Sequence, residues 1–257
     1  MNKIIYLSNK SKVSMGKQWF DEIDPEHFWF SWRFEKLKSF LNLSNLKFFK
    51  NINILEVGMG TGIFRKSIEN YFDRNIDGAD LDNTALECSE ISKGNTYYYD
   101  INDRHSSLKG EYDLILLFDV LEHIENEDLF LKSIKFHLAL KGKLLINVPA
   151  YNTLYSKYDE AVGHFRRYNL NYLNKVLTEN NFKLVQVSYW GMFLLPLLLL
   201  RKLFINKSVS NDEIITKGFR PPNKFFSYCM KKISYFEILF FKRLLLGSSL
   251  MALYELR

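Results

Sequence analysis

Ile54-Leu55-Glu56-Val57-Gly58-Met59-Gly60-Thr61-Gly62 is an apolar run carrying one carboxylate and ending in three alternating glycines. The run reads as a buried strand, and the residues after it, Ile63-Phe64-Arg65-Lys66-Ser67-Ile68, carry a helical pattern. Strand, glycine turn and helix in this order make room for a nucleotide-like ligand at the carboxyl end of a parallel strand. A side chain on the turn would hold the ligand off the backbone.

Outward from this stretch, apolar strands alternate with helical segments. Strands are expected at 52–57, 75–80, 96–99, 113–118, 143–148 and 182–189, and helices near 62–72, 83–92, 127–139 and 169–180. Alternation of this kind predicts an α/β fold with a largely parallel sheet covered by helices on both faces. Asp113-Leu114-Ile115-Leu116-Leu117-Phe118 lacks the period-two pattern of a half-exposed strand, as expected at the centre of such a sheet. A helical pattern at 26–42 precedes the first strand, and Leu250–Leu256 reads as one last strand. The organisation expected is therefore a helical cap at 1–45, a core at 46–190, a helical insertion at 191–248 and a final core strand at 249–257.

That insertion carries the charge asymmetry. The chain has a net charge of +6, yet residues 191–248 hold ten Lys/Arg against three Asp/Glu, and the remainder is close to balance. A local anionic partner fits this better than a generally cationic protein. The apolar stretch from Tyr189 to Leu200 is too short to span a bilayer. After Pro221-Pro222, one helical face gathers Phe226, Cys229, Ile233, Phe236, Phe240 and Leu244, with Lys224, Lys231 and Lys242 roughly opposite. The plain expectation packs this seam on the core; the alternative rests the segment on anionic lipid or a lipid-linked substrate. Cys88 and Cys229 form no disulfide or metal pattern, and the N-terminus lacks a signal-peptide core. The expected location is cytoplasmic, with the inner face of the membrane as the alternative.

Two acids strengthen the glycine turn, which alone is a weak signal and meets only half of GxGxxG. Asp80 ends the second strand, where a carboxylate can accept from a ribose diol, and Leu81 follows it. Asp100 ends the third, placed to accept from an adenine amino group with Ile101 against the ring. Either acid alone would read as a cap or loop residue.

Glu56-x-Gly58-x-Gly60-x-Gly62, Asp80, Asp100 and the block Tyr112–Ile124 resemble class I S-adenosylmethionine-dependent methyltransferases, most closely those of ubiquinone biosynthesis that methylate oxygen. The resemblance covers roughly 50–190. It implies a Rossmann-like, seven-stranded, mostly parallel sheet whose last strand is antiparallel. It implies that Glu56 and Asp80 orient the turn and the ribose, and that Asp100, Ile101, Phe118 and Asp119 frame the rest of S-adenosylmethionine. By the same likeness the N-terminal helix folds over the cofactor, with Arg33 near its carboxylate. In the quinone enzymes an acid-x-x-Glu-His arrangement holds a divalent cation, and Asp119, Glu122 and His123 occupy that pattern with a shorter first acid. The competing reading is a helix start favoured by its dipole, and no metal is expected.

Asp159-Glu160-Ala161-Val162-Gly163-His164-Phe165-Arg166-Arg167-Tyr168 is similar to blocks in methyltransferases of bacterial glycan and lipid biosynthesis. His164 is the first candidate for a catalytic base and His123 the second. Arg166, Arg167 and Tyr168 are candidates for acceptor binding, through the paired hydrogen bonds an arginine offers to carboxylate or phosphate. One arginine pairing with Asp159 or Glu160 to pin the loop is the competing reading. The expected function is methyl transfer to a hydroxyl of a lipid-linked, glycan or other small-molecule acceptor. A nicotinamide epimerase or reductase would need a Tyr-x-x-x-Lys pair, but Tyr168 is followed four residues on by Tyr172. A non-catalytic binding protein would be expected to lose Asp80 and Asp100. Methylation of nucleic-acid bases usually brings an Asn/Asp-Pro-Pro-aromatic motif where Asp119-Val120-Leu121-Glu122 stands, so no specific nucleic-acid partner is expected.

Overall fold

The computed structural model describes residues 3–9, 27–43, 52–204, 214 and 223–257. The Pro221-Pro222 pair and the charged residues from Lys207 to Arg220 lie outside them. Among the described residues, eight strands form one sheet: β1 (Ile4–Tyr6), β2 (Ile54–Val57), β3 (Asp77–Asp80), β4 (Thr96–Tyr98), β5 (Tyr112–Phe118), β6 (Leu138–Pro149), β7 (Phe182–Trp190) and β8 (Ser249–Leu256). Their spatial order is β1-β4-β3-β2-β5-β6-β8-β7. All neighbouring pairs are parallel except those of β8, which runs antiparallel to both β6 and β7.

The expectation of seven strands is corrected to eight. The addition is β1, three residues that pair in parallel with β4 at the sheet edge. So short a segment carries no periodicity of its own, and its partner lies some ninety residues away. The expected last strand is present as β8, antiparallel as the resemblance implied.

Burial on both faces explains the unbroken apolar strands. Along β5, Ile115 and Leu117 join one core cluster while Leu114, Leu116 and Phe118 join another. Successive side chains point to opposite faces, so a strand covered twice must be apolar at every position. On the first face lie α4 (Glu127–His137) and α6 (Leu170–Glu179), through Phe130, Ile134, Leu173 and Leu177. On the second lie α1 (Phe28–Leu43) and α2 (Ile63–Phe72), through Trp32, Phe40, Phe64 and Ile68. Two short helices, α3 (Asn83–Glu87) and α5 (Lys157–Ala161), sit in the connections above the strand ends. The helix expected at 83–92 is only five residues long.

Among the described residues, the helices α7 (Leu195–Phe204) and α8 (Lys224–Phe240) lie in the connection from β7 to β8. The apolar face expected on α8 is corrected in part. Met230, Ser234 and Glu237 are buried, while Phe236 and Phe240 are exposed. A buried acid decides this rotation. The Glu237 carboxylate accepts from the backbone N–H of Gly191 and Met192, both at 2.7 Å, and from Trp32 Nε1 at 3.3 Å. Those bonds replace the water Glu237 loses and turn the helix so that its aromatic stripe faces out.

Candidate active site

A cavity of about 720 Å³ lies over the carboxyl ends of β2, β3, β5 and β6. Its first wall is the glycine turn. Gly58 and Gly60 have φ of 72° and 54°, where a side chain is disfavoured. A Cβ on Gly58 would stand 2.5 Å from Val120 Cγ2, whereas one on Gly60 would meet no atom within 4 Å. The first glycine lets the turn approach β5, and the second leaves open space beside its backbone. Gly62, also at positive φ, caps α2 and does not line the cavity.

Asp80 holds this turn. Its carboxylate accepts from Gly60 N–H at 2.7 Å and from Asp82 N–H at 2.8 Å. Burial raises its pKa, against the pull of those donors. Glu56, on β2 behind the turn, is buried and has one carboxylate oxygen with no hydrogen-bond partner. Burial pushes its pKa up to about 7, although the charges of Arg65 and Arg33 pull the other way.

The N-terminal helix closes a second wall. Arg33 donates to Asp119 at 2.6 Å, and its guanidinium lies 4.3 Å from the Phe64 ring centroid. Asp119 has φ of 57°, uncommon for a residue with a side chain, and is held there on both sides. Its N–H donates to Asn147 O, and its other oxygen accepts from Asn147 Nδ2 at 2.7 Å. Trp190 Nε1 donates in turn to Asn147 Oδ1. The network ties α1 to the ends of three strands, and Arg33, Phe118 and Asp119 all face the cavity.

The third wall carries the titratable cluster. His164 Nδ1 lies 2.9 Å from Asp159 Oδ1, which also accepts from Arg167 Nε at 2.7 Å. Burial alone would raise the Asp159 pKa, but His164 and Arg167 overcome it and hold the carboxylate well below its usual range. An ionised Asp159 can only accept, so Nδ1 carries the proton and Nε2 is the basic nitrogen. That nitrogen is 4.0 Å from Glu122 Oε1. Glu122 is fully buried, with no hydrogen-bond partner on either oxygen, and burial beside Asp119 raises its pKa well above the ordinary value. The His123 ring packs edge-on against His164 at 4.7 Å, and burial lowers its pKa to about 4. Ligand-type atoms of Glu122, His123 and His164 fall within 4.8 Å of one another, one carboxylate and two imidazoles.

Several expected site residues lie elsewhere. Asp100 caps the turn at Ile101–Asp103, accepting from Asn102 N–H, and Ile101 is in the core beneath the sheet. Neither lines the cavity, nor does Leu81, which packs with Met59 and Leu86. Asp82 and Ala85 are the residues that line it after β3. Arg166 donates to the carbonyls of Ile124 and Glu125, and the Tyr168 hydroxyl donates to Glu127, so both bind the loops together and stay out of the cavity. Arg167 does line it, held by Asp159, as the competing reading had it. Sequence reasoning left out Asn147 and gave Asp159 only a loop-pinning role. A polar residue inside Leu144-Leu145-Ile146-Asn147-Val148 was the available signal for the first, since a buried amide needs a partner.

The comparisons with known proteins bear on this geometry. A methyltransferase-domain family profile matches residues 29–187, more than half of the chain. No curated protein matches. Among solved structures, the chain resembles a candidate sarcosine dimethylglycine methyltransferase from Galdieria sulphuraria at TM-score 0.58 and 14% identity, covering 87% of this chain and 84% of that one. It resembles a SAM-dependent methyltransferase from Archaeoglobus fulgidus at TM-score 0.51 and 15% identity, covering 86% and 94%. It also resembles phosphoethanolamine N-methyltransferase 2 of Haemonchus contortus, solved with S-adenosyl-L-methionine, at TM-score 0.53 and 17% identity, covering 84% and 52%. At such identities the structures speak for the fold, and the profile speaks for the family. With a Rossmann-like sheet, a glycine turn held by Asp80 and a family match across its core, the chain belongs to the methyltransferase-domain family as a class I S-adenosylmethionine-dependent enzyme.

Proposed function

We propose that this enzyme methylates a hydroxyl of a small or lipid-linked acceptor, with His164 as the base. The observation that carries the reading is one continuous cavity bounded by the Gly60–Asp80 turn on one side and by His164, held from behind by Asp159, on the other. Two features support S-adenosylmethionine at the turn. Open space beside Gly60 admits a ligand against the backbone, and Glu56, a cavity-lining acid with one oxygen lacking a partner, has a positive group to gain. When bound, the cofactor supplies an electrophilic methyl group, whose bond electrons remain with the departing sulfur.

The protein's part is alignment and proton removal. Asp80 accepts from the ribose with the lone pairs its two backbone donors leave over. Arg33 and Asp119 hold α1 over the cofactor, which keeps water from the methyl group. His164, fixed by Asp159 at Nδ1, takes the acceptor's hydroxyl proton at Nε2 as the new oxygen–carbon bond forms. Glu122 and His123 line the cavity beside it. The apolar wall made by Leu194, Leu197 and Leu198 suits an acceptor with a hydrocarbon portion.

The test is transfer of a labelled methyl group from S-adenosylmethionine to an extract of source cells, partitioned between organic solvent and water. Enzyme-dependent, base-stable label in the organic phase is the expected result. Label confined to water would remove the lipid-linked acceptor, and label released as the methylamine would replace oxygen by nitrogen.

A further inference from the structure

We propose that the outer face of α7 and α8 docks this enzyme on a bilayer containing anionic phospholipid, with the cavity mouth toward the membrane. Phe225, Tyr228, Tyr235, Phe236, Leu239 and Phe240 fall on one side of α8 and all are exposed, Phe225 to 74% and Phe240 to 64%. The helix packs Met230, Phe226, Ile233 and Ile238 against the core and still turns these six apolar or aromatic residues outward, where an ordinary surface helix is polar. Phe193 and Phe241 extend the stripe, with ring centroids 6.2 Å from that of Phe236, and Leu245 adds a side chain 90% exposed. A contiguous apolar surface of this kind marks an interaction site.

Charge selects the partner. Residues 191–204 and 223–248 hold seven Lys/Arg and one acid, Glu237, which is buried and committed to backbone N–H groups. The exposed face of these elements therefore offers cations and no carboxylate. Aromatic and leucine side chains rimmed by lysines match the boundary between acyl chains and anionic headgroups. Lys232, with its amino group 5.3 Å from the Tyr228 ring centroid, stands within the stripe, and Lys224, Lys242 and Arg243 stand at its ends.

The cavity runs into the same surface. Leu197 and Leu200 line it and are also exposed, so α7 is its lip as well as part of the docking face. An acceptor with a hydrocarbon tail would pass from bilayer to cavity along one apolar surface. Among the described residues no helix is long and apolar enough to cross a membrane, so attachment would be peripheral.

Docking needs neither cofactor nor turnover, so its test is separate from that of methyl transfer. The full chain is sedimented with vesicles of phosphatidylcholine alone and of phosphatidylcholine mixed with phosphatidylglycerol. It should pellet with the mixed vesicles, stay in solution with the neutral ones, and be released by salt. Phe225→Ser with Phe240→Ser, and separately Lys232→Glu with Lys242→Glu, should each weaken binding by about tenfold or more, with cofactor affinity unchanged as the check on folding. If the phenylalanine variant loses cofactor affinity, the charge-reversal variant decides. Absence of pelleting with mixed vesicles overturns the proposal, as does binding that neither variant alters. Self-association abolished by the phenylalanine variant, without vesicle binding, overturns it in favour of a second copy of the chain.

Discussion

The two sides of the cavity are built differently. On the side proposed for the cofactor, β2, the glycine turn and the end of β3 form a wall from residues 56–85, closed by bonds from backbone N–H groups such as Gly60 N–H to the Asp80 carboxylate. On the side proposed for the acceptor, the loop after β6, α7 and α8 bring together residues as distant as Val162, Leu197 and Phe226, through side chains. One wall is a local motif, and the other is a tertiary assembly. Backbone donors at fixed strand ends suit a ligand that does not vary, while interchangeable side chains suit an acceptor that differs between enzymes on one fold.

Removing the proposed base should break this division most sharply. His164→Ala should lower turnover by roughly 10²- to 10⁴-fold while leaving cofactor affinity unchanged by calorimetry. Asp159→Asn should fall in the same direction, because an amide lets the imidazole adopt the wrong tautomer. Treatment with EDTA should leave turnover where it was. A loss restored by a divalent ion would turn Glu122, His123 and His164 from a proton site into a metal site. Cofactor affinity falling together with turnover in His164→Ala would show that the two walls are not separate.

On the cofactor side, Gly60→Ala places a methyl group in the open space at the turn. It should weaken S-adenosylmethionine binding by roughly 10- to 100-fold, with a stability loss of about 1 kcal/mol for the left-handed backbone. Asp80→Ala should reach a similar loss of affinity by freeing Gly60 N–H and removing the ribose acceptor, without unfolding the protein. Unchanged affinity in either variant would remove the turn from the cofactor site.

How much of this was legible follows from the same contrast. Glu56, Gly58, Gly60 and Asp80 could be read because their geometry is set by neighbours along the chain and by one strand pairing. Asp100 and Ile101 were read by the same logic, but the side chain of Asp100 caps its own turn and Ile101 drops into the core. Strand-end position alone does not say which way a side chain points. Arg166 and Arg167 are adjacent, and no local rule distinguishes the one that faces the cavity. Asp159, eight residues before Arg167, decides by accepting from it. Orientation of α8 was hidden for a related reason: Glu237 bonding to Gly191 and Met192 turns the helix, so that Met230, Ile233 and Ile238 pack inward while Phe236 and Phe240 face out.

Glu56 gives a pH test of the cofactor wall. Its folded pKa of about 7 stands above the ordinary 4.5, chiefly through burial. The free enzyme therefore holds that proton below neutrality, and a cationic ligand favours its release. Cofactor affinity should rise as pH increases toward about 7 and level off above it. Stability has the opposite slope, since the folded state binds more protons than the unfolded one between pH 4.5 and about 7. Glu56→Gln should flatten both profiles and raise stability at pH 8 by at most about 3 kcal/mol, while weakening cofactor binding. A pH-independent affinity in the parent enzyme would show that Glu56 does not sense the ligand's charge.

The smallest effect belongs to Arg166, and it tests whether the acceptor wall extends past the cavity. The guanidinium donates to Ile124 O at 2.6 Å and Glu125 O at 3.0 Å, and pairs with Glu127 at 3.2 Å. These bonds clamp the loop that carries His164 to the segment that carries Glu122 and His123. Arg166→Ala should cost about 1–2 kcal/mol of stability, seen as a lower Tm, with KM for cofactor and acceptor unchanged. Arg166→Lys should recover little of it, because an ammonium cannot bridge two carbonyls in the plane of a guanidinium. Were the acceptor KM to rise with Tm constant, the arginine would reach the acceptor after all, and the boundary between structural clamp and binding wall would move outward to include it.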